Sequence, residues 1–152
     1  MKVRGRLLLV VLMGTVFSVA LYAAILTGHA QLHPIDQSGI QGEVHFADTG
    51  TSLKALGVAS GLNPSHAYVS LLYGGGSVPG GPSACEPDGT LNVPEMILGF
   101  WTVEPDGSGT LVVSAKTGGA YAPVTNAGTV SIRDANMGFA LQACGQVAVN
   151  TF

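Results

Sequence analysis

After Leu26, glycine and proline punctuate the chain too often for a long helix, and this most limits its fold. No later stretch sustains an apolar period of about 3.6 residues. What recurs instead is alternation. Between Ile40 and Ala47, Ile40, Val44 and Phe46 fall on one side and Glu43 and His45 on the other, the pattern of a half-buried strand. Leu53 to Ser60 reads as a second strand, in which Gly57 marks a bulge or a close backbone contact. Gly61-Leu62-Asn63-Pro64 turns the chain into a third strand, Ala67 to Tyr73. Further strands are expected at Ile97–Val103, Gly109–Ala115, Gly128–Arg133 and Gly138–Val149. Asp48-Thr49-Gly50-Thr51 and Glu104-Pro105-Asp106-Gly107 supply turns; in the second, Pro presets the first corner and Gly frees the next. About seven or eight short strands separated by such signals argue for one all-β domain, an antiparallel sandwich or flattened barrel.

The N-terminus is of another kind. Met1 to Arg6 is basic, Leu7 to Leu26 is apolar, and Gly28-His29-Ala30 places small residues before a cut after Ala30. That order is the order of a secretory signal peptide, residues 1–30. The apolar run of 20 residues, 7–26, is also long enough to span a bilayer as an uncleaved membrane anchor. Both readings place the remainder outside the cytoplasm, secreted or periplasmic, with 31–39 a flexible lead-in and 40–152 the β domain. Membrane contact is expected only if the segment stays uncleaved.

The exported part keeps Lys54, Lys116 and Arg133 against nine acids, a net charge of −6. Three scattered cations make no basic stripe, so nucleic acid is an unsuitable partner. Cys85 and Cys144 form an even pair in an oxidising compartment, which reads as one disulfide. Closing so long a loop stabilises a fold by roughly 4 kcal/mol in the chain-entropy account. Cys85 sits inside the glycine- and proline-rich stretch 74–95, so that loop is expected to be tied down rather than free.

These residues together resemble the copper/zinc superoxide dismutase family. Ile40 to Phe46 resembles its early strand. Gly57, Gly61-Leu62-Asn63-Pro64 and His66 resemble its turn of the form G-L-x-P-G-x-H. Asp106-Gly107-Ser108-Gly109 stands at a similar hairpin. Gly128 to Ile132 resembles the strand entering its second copper-ligand region, and Ala143-Cys144-Gly145 with Val147 resembles its closing A-C-G-V. The resemblance spans about residues 40 to 150 and implies a Greek-key β-sandwich or flattened barrel. It also implies a disulfide from the mid-chain loop to the last strand, as Cys85 and Cys144 stand.

The departures fall on the metal site. The family's H-x-H pair, two imidazoles on one strand face, corresponds to Val69 and Leu71 or their neighbours, none of which is His. Residues 74–95 contain no histidine. Arg133 stands where the last copper histidine is implied, and Leu141 where the anion-guiding arginine is implied. The expectation is a divergent, non-enzymatic member, a pseudoenzyme without copper, zinc or another cofactor.

The remaining candidates are plainer. His29 leaves with a signal peptide. His33 is read as solvated, His45 as outward-facing and His66 as structural, bonded to nearby backbone; an adventitious metal site from His33, His45 and Glu43 stays open. The acids Glu86, Asp88, Glu95, Glu104 and Asp106 read as turn residues. Phe100 and Trp101 face opposite sides of one strand, so one belongs to the core and the other to the surface. Trp101, Tyr73 and His66 are the interaction candidates. The reading is an exported binding or structural envelope module with an unidentified protein or small-molecule ligand. The alternatives are a weak metal binder or unrecognised extracytoplasmic enzyme using His45, His66 and loop acids, and a chordin-type secreted β module.

Overall fold

The computed structural model describes residues 25–74, 85 and 97–150. The remainder of the expected signal segment and most of the 74–95 loop, with Glu86, Asp88 and Glu95, lie outside the described residues. Eight strands are described: β1 (Leu26–Pro34), β2 (Gln41–Asp48), β3 (Ser52–Ser60), β4 (Tyr68–Gly74), β5 (Ile97–Val103), β6 (Gly109–Thr117), β7 (Ala127–Asp134) and β8 (Ala140–Asn150). Every pairing is antiparallel, and the order β1-β2-β3-β6-β5-β4-β7-β8 closes into a barrel. Seven of these strands fall where alternation and turn chemistry place them.

The eighth, β1, begins before the expected β domain and takes in residues expected as a lead-in. Residues 31–34 are strand, not a loose tether, and Ala30 lies in the middle of β1. One side of β1 pairs with β2, from Leu26↔Asp48 to Leu32↔Gly42. Its other side pairs with β8, from Thr27↔Asn150 to Pro34↔Ala143. The alternation is present but muted, because the inward residues of its first half, Gly28 and Ala30, are small. Gly28, Ala30 and Leu32 are buried, whereas His29, Gln31 and His33 are exposed.

Burial follows the pleat elsewhere too. Val44, Leu111, Val130 and Ile132 are fully buried inside the barrel, and Leu53, Phe46, Leu72 and Trp101 pack with them. Trp101 is the inward member of its pair. Its indole Nε1 donates to Ser70 Oγ at 2.9 Å, which satisfies two polar groups buried in the core. Gly57 resolves as a close contact. Its register is unbroken, opposite Val44 on β2 and Leu111 on β6. A Cβ there would sit 2.8 Å from the Trp101 ring and 3.2 Å from each of Leu111 and Val44.

Turn chemistry holds the strand ends. In the 104–107 turn Gly107 N–H donates to Glu104 O, and Gly107 O accepts from Leu62 N–H, which docks this hairpin on the turn that opens β4. Gly61 supplies the positive φ of 81° in that second turn. Buried Asp48, at the end of β2, collects three donors. Its Oδ1 accepts from Gly50 N–H at 2.8 Å and Tyr121 O–H at 2.7 Å, and its Oδ2 accepts from Val124 N–H at 2.8 Å. One carboxylate therefore ties the β6–β7 connection to the barrel rim.

Two outcomes follow. Gly57→Val should lower unfolding free energy by about 1–3 kcal/mol through overpacking, measured by urea denaturation; a neutral result would show that Trp101 moves freely. Burial and the Asp48 carboxylate push the Tyr121 phenol up to about 12 from an ordinary 10.0. The folded state thus keeps a proton that the unfolded state loses. That contribution is complete below about pH 10 and is lost as pH rises through about 12. Stability should fall across this window, and Tyr121→Phe should flatten the fall, as followed by denaturation at stepped pH.

Candidate functional site

The place to test for chemistry is the outer face of β4 and β7, where the resemblance implies a metal site. Most barrel strands bury one face, but β4 buries both. Tyr68, Ser70 and Leu72 point into the barrel, and by alternation Val69, Leu71 and Tyr73 point outward. Val69 is fully buried and Tyr73 is 3% exposed. What covers the outer face is a second cluster formed by Tyr73, Cys85 and Cys144, with Ile35, Leu71 and Leu141 packed against it.

Cys85 and Cys144 are joined in a disulfide, with Cα atoms 6.0 Å apart and 59 positions apart in sequence. The bond fixes the middle of the long loop to β8. A buried disulfide is compatible with an extracytoplasmic location.

Arg133 holds the cluster together. Its Nε donates to Tyr73 Oη at 2.9 Å, one terminal nitrogen donates to Cys85 O at 2.7 Å, and the other donates to Phe139 O at 2.9 Å. The guanidinium thus joins β4, β7, the loop at Cys85 and the turn before β8. Its planar fork suits this task, because separate donors reach separate acceptors from one rigid group. Tyr73, an interaction candidate from sequence, is therefore an internal partner of Arg133 rather than a surface contact.

His66 sits at the rim of the same region. Its Nδ1 lies 2.6 Å from Oδ2 of Asp134, which is 2% exposed. The partner is thus a carboxylate at the end of β7, not the backbone group expected. The other oxygen, Oδ1, accepts from Asn136 and Met137 N–H and caps the 3-10 turn Ala135–Met137. Asn136 Oδ1 accepts from Ala67 N–H, and Ala67 O accepts from Ala135 N–H. The two turns are locked together, with His66 a part of the lock.

The other histidines do not converge as the adventitious site requires. His33 is opposite Cys144 on β8, whereas His45 is opposite His29 on β1, with ring centroids 6.4 Å apart. His45 lies 3.5 Å from Glu43 on an exposed face. Among the described residues no group of three metal-ligating side chains comes together.

Trp101 is also corrected as an interaction candidate, because it is core; the exposed aromatic is Phe100. Leu56 is opposite Val112, and the pairing of Trp101 with Leu111 sets Phe100 in the same row. All three are more than half exposed, so an apolar row crosses β3, β6 and β5. Beside it His45, Lys54, Leu56, Val112 and Ser114 help to line a shallow depression of about 460 Å³. No family model and no curated protein matches the chain.

The Arg133 network is expected to stabilise the fold rather than to react. Arg133→Met leaves the carbonyls of Cys85 and Phe139 without their donor and should cost about 1–3 kcal/mol. Arg133→Lys should recover only part, since an ammonium lacks the fork. Combined with Tyr73→Phe, the losses should be non-additive by roughly 0.5 kcal/mol or more in a denaturation double-mutant cycle. Strict additivity would show that Tyr73 and Arg133 are not coupled.

Proposed function

We propose that this chain is an exported, non-enzymatic domain related to the copper/zinc superoxide dismutase fold, serving as a binding or structural module. The spatial order β7-β4-β5-β6 supports the Greek-key part of this reading, since three consecutive antiparallel neighbours are followed by a fourth strand returning beside the first. The disulfide from the mid-chain loop to β8 supports it as well.

The observation that carries the loss of activity is Arg133. The resemblance implies copper held by imidazoles at 69, 71 and 133. Two of these positions carry hydrocarbon side chains without lone pairs. The third carries a permanently protonated guanidinium whose donors are directed to Tyr73, Cys85 and Phe139. A copper ion does not fit these positions, because Val69 and Leu71 offer no donor atom and Arg133 places a positive charge beside them. The exposed row of Leu56, Val112 and Phe100 supports a binding role, because it is apolar surface the barrel itself leaves uncovered.

Elemental analysis of the purified, dialysed protein tests the reading. Copper and zinc should remain well below one per molecule, and added copper should not shift the melting temperature as a specific ligand does. Stoichiometric copper surviving dialysis would sink it.

A further inference from the structure

Strand β1 limits where a secreted form of this chain can begin without losing part of the barrel. A cut after Ala30 would remove Leu26 to Ala30, more than half of β1. Five ladder positions on β2 would lose their partners, from Asp48 opposite Leu26 to Val44 opposite Ala30. On β8, Asn150, Val149, Ala148 and Val147 would lose theirs. Ala30 is 1% exposed, and Leu26 packs against the main core. At Gly28 the backbone passes so close to the Val124 side chain that an added Cβ would sit 3.1 Å from it. Losing this segment would uncover core and leave half of each neighbouring strand's edge unpaired, with only residues 31–34 to bridge β2 and β8.

Leader processing selects small residues at the first and third positions before the cut, after an apolar core of about 7–15 residues. Two windows between Leu7 and Pro34 meet that requirement, Ser18-Val19-Ala20 and Gly28-His29-Ala30. The second lies inside a strand that the barrel needs. The first follows Leu7 to Phe17, an apolar run of 11 residues. Leu21-Tyr22-Ala23 and Tyr22-Ala23-Ala24 each put a bulky side chain at the third position.

We propose that leader peptidase cleaves the Ala20–Leu21 bond. Water hydrolyses that amide, leaving a carboxylate on Ala20 and a free amine on Leu21. The mature chain then runs from Leu21 and keeps β1 whole, with five residues, Leu21 to Ile25, ahead of it. The inference rests on the exported reading. It differs in outcome from a membrane anchor, which keeps Met1, and from a cut after Ala30, which starts at Gln31.

The test is N-terminal sequencing and intact mass of the full chain expressed in a host with a general secretion pathway, on the extracytoplasmic and membrane fractions separately. A soluble extracytoplasmic product beginning at Leu21 supports the proposal. A product beginning at Gln31 overturns it while leaving export intact, and so does any other exported start. Intact Met1 in the membrane fraction overturns it in favour of an anchor. Intact Met1 in the cytoplasm overturns both it and the exported reading. Ala20→Arg places a bulky charge before the cut and should reduce the Leu21 product at least tenfold, with precursor accumulating. Unchanged processing in that variant would overturn the assignment of Ala20.

Discussion

The fold depends on the ladder that β1 makes with both β2 and β8. A sheet that ends leaves backbone donors and acceptors unpaired along two strands. Here the first strand lies between the second and the last, so the sheet has no end. Closure also sets how tightly the interior must fill. Where strands and side chains crowd inside a small barrel, the chain places glycine at Gly57 and small residues at Gly28 and Ala30, and larger side chains such as Trp101 occupy the space they leave.

On the outside of β4 and β7 the same chemistry runs in reverse. A strand face that would meet water is covered instead by the Cys85–Cys144 disulfide, with Tyr73, Ile35 and Leu141 packed around it. Burying it requires a partner for the Tyr73 hydroxyl and for the carbonyls of Cys85 and Phe139. Arg133 supplies all three from one side chain. The His66–Asp134 pair does comparable work at the rim, joining the turn before β4 to the turn after β7. A region the resemblance marks for metal chemistry is therefore built as a second core. Its described polar groups are directed to one another.

The proposed role follows from where polar and apolar groups are left uncommitted. In the second core the donors and acceptors described above have protein partners. The row of Leu56, Val112 and Phe100 stays exposed among the described residues, and it runs over β3, β6 and β5, whereas the disulfide cluster sits on β4 and β8. Those two regions divide the molecule into a face that secures the fold and a face that leaves apolar surface available.

The sequence by itself determined the class of fold, because alternation has a period of two and turns need glycine or proline at particular corners; seven strands follow from those local rules, and the disulfide from the even cysteine pair. It also determined which side chains stand at the implied metal positions, since residue type is a sequence fact. Only the tertiary structure decided the rest. β1 was hidden because its inward side chains in the first half are as small as Gly28 and Ala30, and because its start merges with an apolar run that reads as a leader. Which of Phe100 and Trp101 is core depends on the partner strand, since alternation fixes that they differ but not which faces inward. The roles of Arg133, Asp134 and Asp48 were illegible for the same reason. Nothing in the local sequence marks their distant partners, which lie 6 to 76 positions away and come within hydrogen-bond reach only when the barrel closes.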